Sequence, residues 1–351
     1  MNATNTTVAA PAQPSTARLR NALAGGRRIG LGLLIALASL AALGFIYQSV
    51  ATVLDRRNYT APGQTVDVGG RRMHLYCTGA NTDGRPTVIL EQGGGGNVLG
   101  WFLVQPEVAR STRVCAYDRA GQGWSDPGPQ PRDGAHIASD LHTLLAAAGV
   151  PGPYVLAGHS YGGIFIRSFA SQYPDEVAGL VLLDSAHPDQ WTRTPEGRAR
   201  YAGDSQLYAG GRFLVRFGLL RVGPNPFAAA PADWPTDFQA EWRALVNTNQ
   251  FWDTTEAESR AILDTMAQLR AAPPLPAGLP LAVVTAGLNT GADGLWREYQ
   301  GELAALSANS AHVVVEGADH AALWADPRYV PATVEAIWDV IEAVRTGQPL
   351  R

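Results

Sequence analysis

The sequence predicts an α/β domain, a mostly parallel sheet with helices on both faces, preceded by one membrane-crossing helix and interrupted by a helical insertion. Three observations carry this. Short β-branched and apolar runs alternate with helix-periodic stretches, the pattern of strands joined by crossover helices. Between residues 191 and 278 that alternation stops, for 88 residues. Near the start, residues 29–54 form a run of 26 without a single charge.

At ~1.5 Å per residue, that run is longer than the ~20 residues needed to cross a ~30 Å hydrocarbon core. It also exceeds the 7–15 apolar residues usual in a cleaved signal, so the reading is a transmembrane helix, with a cleaved signal as its rival. Residues 1–28 read as a disordered basic tail, small and polar at first and then carrying Arg18, Arg20, Arg27 and Arg28 with no acid. The positive-inside rule keeps such a flank cytoplasmic. A single-pass protein of the cytoplasmic membrane follows, N-terminus inside, with the body from residue 58 on the extracytoplasmic side.

Strands are expected at 73–76, 87–90, 113–117, 154–158, 179–183, 281–286 and 312–315, and helices at 136–148, 162–172, 295–306 and 330–344. Runs such as LVLLD and LAVVTA are apolar throughout rather than alternating, as parallel strands buried on both faces are. Residues 191–278 hold 11 of the 29 aromatic residues and no clear strand. A structureless loop of that length is uncommon in a compact domain, so the interval reads as a helical cap whose aromatics mostly form its own core. The body is then 58–190 and 279–351, with the cap at 191–278.

Composition removes several classes of function. All 27 basic residues are arginine. Without lysine there is no P-loop, no pyridoxal Schiff base and no Ser–Lys dyad. The first 57 residues carry +5, which leaves −9 on the rest of a chain whose net charge is −4. An acidic body does not suit nucleic acid. No C-x-x-C or H-E-x-x-H spacing occurs, so no metal or cofactor is expected.

After the strand at 154–158 comes Gly158-His159-Ser160-Tyr161-Gly162-Gly163, opening a helix. This is a G-x-S-x-G nucleophile elbow in its proper context, a strand before the serine and a helix after it. With VILEQGGGG, CAYDRAGQGWSDP, LVLLDSAHPD and EGADH, it makes residues 62–346 resemble the α/β-hydrolase fold family, in particular bacterial membrane-anchored serine hydrolases. The resemblance implies an eight-stranded sheet ordered 1-2-4-3-5-6-7-8. That order sets the strands of Cys77 and Cys115 side by side and makes a disulfide between them reachable.

The family order Ser…Asp…His puts the base at His320, after the last strand, with Ser160 as nucleophile. Of the other histidines, His159 is read as structural with its side chain away from the serine, His312 as packed within its strand, and His187 as a rim residue satisfied by solvent. The acid is open to two readings. In the turn where the family most often carries it stand Asn289 and Thr290. Asp184, at the end of the preceding strand, is favoured; Asp293, which also suits a helix cap, is the alternative. By the same resemblance the oxyanion hole takes backbone N–H groups from Tyr161 and Gly94. Asp118 and Arg119 are expected to pair and hold their loop near the site.

The function expected is hydrolysis of carboxylic esters of apolar or aromatic small molecules through an acyl-enzyme, with a carboxylesterase-like enzyme held at the membrane by residues 29–54. Carbon–carbon bond hydrolysis, peptide cleavage and acyl transfer use the same triad and remain rivals, as does a non-catalytic binding module. The aromatic cap also suits an apolar substrate taken from the membrane surface.

Overall fold

A computed structural model describes residues 16–80, 84–231 and 234–350. Helix α1 (Thr16–Asn58) contains the whole uncharged run and extends beyond both of its ends. The reading of residues 16–28 as disordered is thereby corrected; residues 1–15 of that tail lie outside the described residues. Alanine, leucine and arginine favour helix, no proline interrupts the segment, and adding turns to an existing helix carries no nucleation cost. No residue from 29 to 43 is buried. The packed core helix of a soluble domain buries an apolar stripe instead. By length and composition this helix is able to cross a membrane.

Eight strands form one sheet: β1 (Gln64–Asp67), β2 (Arg72–Thr78), β3 (Thr87–Glu91), β4 (Val114–Tyr117), β5 (Tyr154–His159), β6 (Val177–Leu183), β7 (Leu281–Ala286) and β8 (Ser310–Val315). Their order is β1-β2-β4-β3-β5-β6-β7-β8, as the resemblance implied. β2 pairs antiparallel with both β1 and β4, and the remaining pairings, from β4 across to β8, are parallel. Cys77 of β2 faces Cys115 of β4 in register, and the two are joined by a disulfide.

The helices of the sheet domain are α2 (Gln105–Val108), α3 (Gly134–Ala147), α4 (Tyr161–Gln172), α9 (Trp296–Ala304), α10 (Ala322–Ala325) and α11 (Val330–Thr346), and those of the cap are α5 (Pro195–Val215), α6 (Leu219–Val222), α7 (Thr236–Val246) and α8 (Asn249–Ala271). Alternate residues of each central strand serve opposite faces. Ile89, Leu156 and Leu182 pack with Leu141 and Leu144 of α3 and Phe169 of α4. Their neighbours Leu90, Val155 and Val181 pack with Ile337, Val340 and Ile341 of α11. Both faces are therefore covered, and this is why the strands read as unbroken apolar runs. Each such side chain withdrawn from water contributes about 1.5–3 kcal/mol.

The cap leaves the sheet after β6 and returns at β7. Trp234, Trp242, Phe251 and Trp252 are buried there with Leu220 and Val246. The indole N–H groups of Trp234, Trp242 and Trp252 donate to the carbonyls of Ala325, Phe227 and Val246 at 3.1, 2.7 and 3.1 Å. The cap aromatics thus chiefly form a core. Phe227 packs against this core, and its carbonyl is held by Trp242.

Candidate active site

Ser160 sits between β5 and α4 with φ 55° and ψ −121°, a strained conformation for a residue with a side chain. Its surroundings hold it there. The Ser160 N–H donates to the Leu183 carbonyl at 3.0 Å, and its own carbonyl accepts from Gly163 and Ala186 at 3.1 and 3.0 Å. The sharp turn brings backbones into contact, so a Cβ on Gly162 would overlap the Glu91 carbonyl oxygen. That close approach is what the glycines of the motif allow.

Asp184 follows β6 directly, fully buried, with φ 42°. Its carboxylate accepts four hydrogen bonds: from His320 Nδ1 at 2.6 Å, Asn289 Nδ2 at 2.6 Å, Trp296 Nε1 at 2.6 Å and the Ala286 N–H at 3.0 Å. Burial on its own raises the pKa of this carboxyl, but the bonds from His320, Trp296 and Asn289 outweigh it and hold the group below the ordinary aspartate value. Asp293 is placed elsewhere. It accepts from Tyr299 Oη at 2.7 Å, Thr194 Oγ1 at 3.1 Å and the Leu295 N–H at 3.1 Å. Of the two candidate acids, Asp184 is the one bonded to His320.

His320 lies in the turn between β8 and α10, and its ring lines the same cavity as Ser160. His159 is not turned away from this site, contrary to expectation. Its Nε2–H donates to the His320 carbonyl at 2.9 Å, its ring lies 4.4 Å from the His320 ring, and it lines the cavity too. Burial, with the nearby His320, pushes its pKa down to about 3, so the imidazole is neutral. His187 is buried rather than solvated, stacked on Tyr299 and 3.1 Å from Glu302. His312 is exposed, because β8 is an edge of the sheet.

The expected pairing of Asp118 with Arg119 does not occur. Asp118 bonds His74 Nδ1 at 2.7 Å and accepts the Val98 and Trp124 N–H groups at 2.9 and 3.0 Å. Arg119 points the other way, buried, with both guanidinium edges occupied. It binds Glu258 of the cap helix α8 at 2.9 and 3.0 Å, Glu91 at 2.6 Å, and the carbonyls of Gln92 and Gly93 at 2.6 and 2.9 Å. Burial pushes the Glu91 carboxyl up, opposed by Arg119 and by the Tyr117 hydroxyl that bonds it. One arginine thereby fixes the carbonyl side of the glycine turn and ties it to the cap.

The cavity measures about 630 Å³ and is bordered by Ser160, His320, the turn Gly93–Gly96, and the cap residues Pro226, Phe227 and Trp242. Its size falls in the range of small-molecule sites. Gly94 borders it beside the ring of Tyr161, where a Cβ would stand 3.0 Å away. The Gly93 N–H is already spent on the Gln92 side chain at 2.8 Å.

The chain belongs to the α/β hydrolase fold family, whose model matches residues 86–327. An uncharacterised protein of Schizosaccharomyces pombe is 27% identical over 291 residues, 74% of this chain and 52% of that one. The chain thus spans about half the length of that curated relative. Among solved structures, a thermophilic esterase from Thermogutta terrifontis matches with a TM-score of 0.60 and 20% identity, over 81% of this chain and 100% of the other. A variant of a Pseudomonas aeruginosa protein described as an epoxide hydrolase matches with 0.65 and 19%, over 82% and 97%. At these identities the two structures share the fold.

Sequence reasoning misses the residues that hold the site in place: Asn289 and Trp296 on Asp184, His159 on the His320 turn, and Arg119 with Glu258. Asn289 carries the one available signal, since it stands in the turn where the family most often places the acid.

Proposed function

We propose that the protein is a serine hydrolase that cleaves carboxylic esters of apolar or aromatic substrates through an acyl-enzyme. The observation that carries the reading is the 2.6 Å bond from His320 Nδ1 to the Asp184 carboxylate beside a cavity that Ser160 also lines. Asp184 fixes the imidazole so that Nδ1 carries a proton and Nε2 is a free base. His320 takes the Ser160 hydroxyl proton as the oxygen attacks the ester carbonyl. The N–H groups of Gly94 and Tyr161 receive the oxyanion. As the tetrahedral species collapses, His320 returns the proton to the departing alcohol, leaving an ester on Ser160. Water, deprotonated by His320, then releases the carboxylic acid and restores the hydroxyl.

A serine at the elbow favours acyl chemistry over the aspartyl ester intermediate of epoxide and haloalkane hydrolysis. Supporting a place outside the cytoplasm are the arginines before α1 and the Cys77–Cys115 disulfide, a bond that persists in oxidising compartments. We place α1 across the cytoplasmic membrane with its N-terminus inside.

The test uses the full chain in lipid nanodiscs with p-nitrophenyl esters of graded acyl length. Turnover that disappears in Ser160→Ala is the expected result. Turnover that survives in that variant, or none at any length from folded protein, overturns the reading.

A further inference from the structure

Helix α1 does not stand clear of the cap. A Cβ on Gly44 would lie 2.5 Å from the Phe217 carbonyl oxygen, and one on Gly218 would lie 2.6 Å from the Tyr47 ring. Gln48 Nε2 donates to the Asn247 carbonyl at 2.7 Å. Arg221 binds Gln48, Thr52 and Asp55 at 2.8, 3.1 and 2.7 Å. The corner between α5 and α6 is therefore fixed against α1 from residue 44 onward.

This contact sets the depth of the corner. Arg27 and Arg28 bar the hydrocarbon from beginning much before Ile29. Counted from there, a ~30 Å core at ~1.5 Å per residue ends near residue 48, and any tilt moves that end further along. The cap already touches the helix at residue 44. Roughly the last 6 Å of the core thus lies alongside the corner.

The surface at that level is apolar. Phe213, Leu219 and Val222 are 62%, 47% and 75% exposed, with Leu214 beside them and Phe213 against Phe217 at 5.2 Å. The neighbouring Arg212 and Arg216 are paired with Asp253 at 2.6 and 2.9 Å. Four residues after Val222, Pro226 and Phe227 border the Ser160 cavity, at most ~14 Å along the chain.

We propose that the α5–α6 corner is immersed in the lipid leaflet at the C-terminal end of α1, and that the cavity draws apolar esters dissolved in that leaflet. The partner is the bilayer itself, met as interfacial helices meet it, with apolar side chains down and charges paired above. This rests on α1 spanning the membrane and on the hydrolase reading.

The experiment keeps those dependences apart. Both native cysteines are in the disulfide, so a thiol introduced by Val222→Cys, Leu34→Cys or Val313→Cys takes a nitrobenzoxadiazole label alone. Each full-length protein is placed in nanodiscs of phosphatidylcholine and phosphatidylglycerol carrying doxyl-labelled lipid. The expected result is loss of fluorescence at 34 and 222 but not at 313, on the edge strand β8. Loss at 34 alone puts the corner in water and overturns the proposal. A blue-shifted but unquenched label at 222 means that a second copy covers the corner, which overturns the proposal as well. No loss at 34 removes the membrane span and the proposal with it. The second readout is activity. Phe213→Asp with Val222→Asp should keep turnover of water-soluble p-nitrophenyl acetate and raise KM several-fold for a long-chain ester held in the nanodisc. Equal loss on both esters assigns the corner to cap stability and overturns the access route.

Discussion

Asn289 donates its side-chain amide, at 2.6 Å, to the same Asp184 oxygen that receives the His320 N–H. Asn289 stands in the turn after the seventh strand, where the family resemblance seeks the acid. The turns after β6 and β7 are neighbours in the sheet, so a carboxylate on either reaches the same imidazole. Here the charge sits on Asp184 and the amide supports it. Asp184→Asn should lower kcat by about 10⁴, the cost of losing the correct imidazole tautomer, while Asp293→Asn should change it little. Asp184→Asn combined with Asn289→Asp should recover part of the loss. Equal losses for the two single aspartate variants, measured on one ester, defeat the assignment.

Arg119 offers a second test, because one guanidinium holds Glu91, Glu258 and two carbonyls of the glycine turn. A lysine ammonium lacks the planar fork and cannot serve both edges. Each buried acceptor that the lysine leaves unpaired costs about 1–3 kcal/mol. A displacement of ~1 Å in the oxyanion donors costs about 10²-fold in rate. Arg119→Lys should therefore lower both the unfolding midpoint and kcat, with KM for a short ester nearly unchanged. A variant that is less stable but retains full kcat shows that Arg119 has no part in positioning the turn.

The legible parts of this protein are those whose signal is local. Strands β3 to β7 announce themselves as short apolar runs, since both faces of the sheet are covered there. The Ser160 elbow is contained in six consecutive residues. β1 escapes such a reading because its four residues, QTVD, lie at an edge with one apolar side chain between polar ones. Arg119 reads as a partner of the adjacent Asp118 because its true partner Glu258 is 139 residues away. His312 reads as packed because nothing in a strand's own sequence says whether another strand lies beyond it. His159 follows the same logic. Its partner is a main-chain carbonyl 161 residues on, an acceptor that any residue type supplies.

The Cys77–Cys115 bridge closes a loop with a sequence separation of 38. Restricting the unfolded chain by such a loop is worth about 2–4 kcal/mol. Cys77→Ser with Cys115→Ser should lose stability of that order while keeping turnover at low temperature, since neither side chain lines the cavity. The native protein should show no thiol to maleimide before reduction and two after it in denaturant. Two reactive thiols without reductant exclude the bridge.

The His159 contribution to the pH dependence of stability has a definite sign. Its folded pKa is pushed down to about 3, whereas the unfolded side chain titrates near ~6.5. Between those values the unfolded chain binds a proton that the folded chain refuses. The contribution to stability is thus complete above pH ~6.5 and is lost as pH falls, by about 1.4 kcal/mol per unit. His187, lowered by burial to about 4, acts in the same direction. His74, whose pKa is raised, acts oppositely. The depressed carboxyl of Asp184 enters only below the unfolded aspartate value of ~3.9. His159→Gln keeps a donor for the His320 carbonyl and removes this one titration, leaving the other groups in place. From pH 6.5 to pH 5, urea unfolding of the wild type should lose about 2 kcal/mol more than that of the variant. Parallel curves over that interval would mean that His159 accepts a proton in the folded protein as readily as in the unfolded one.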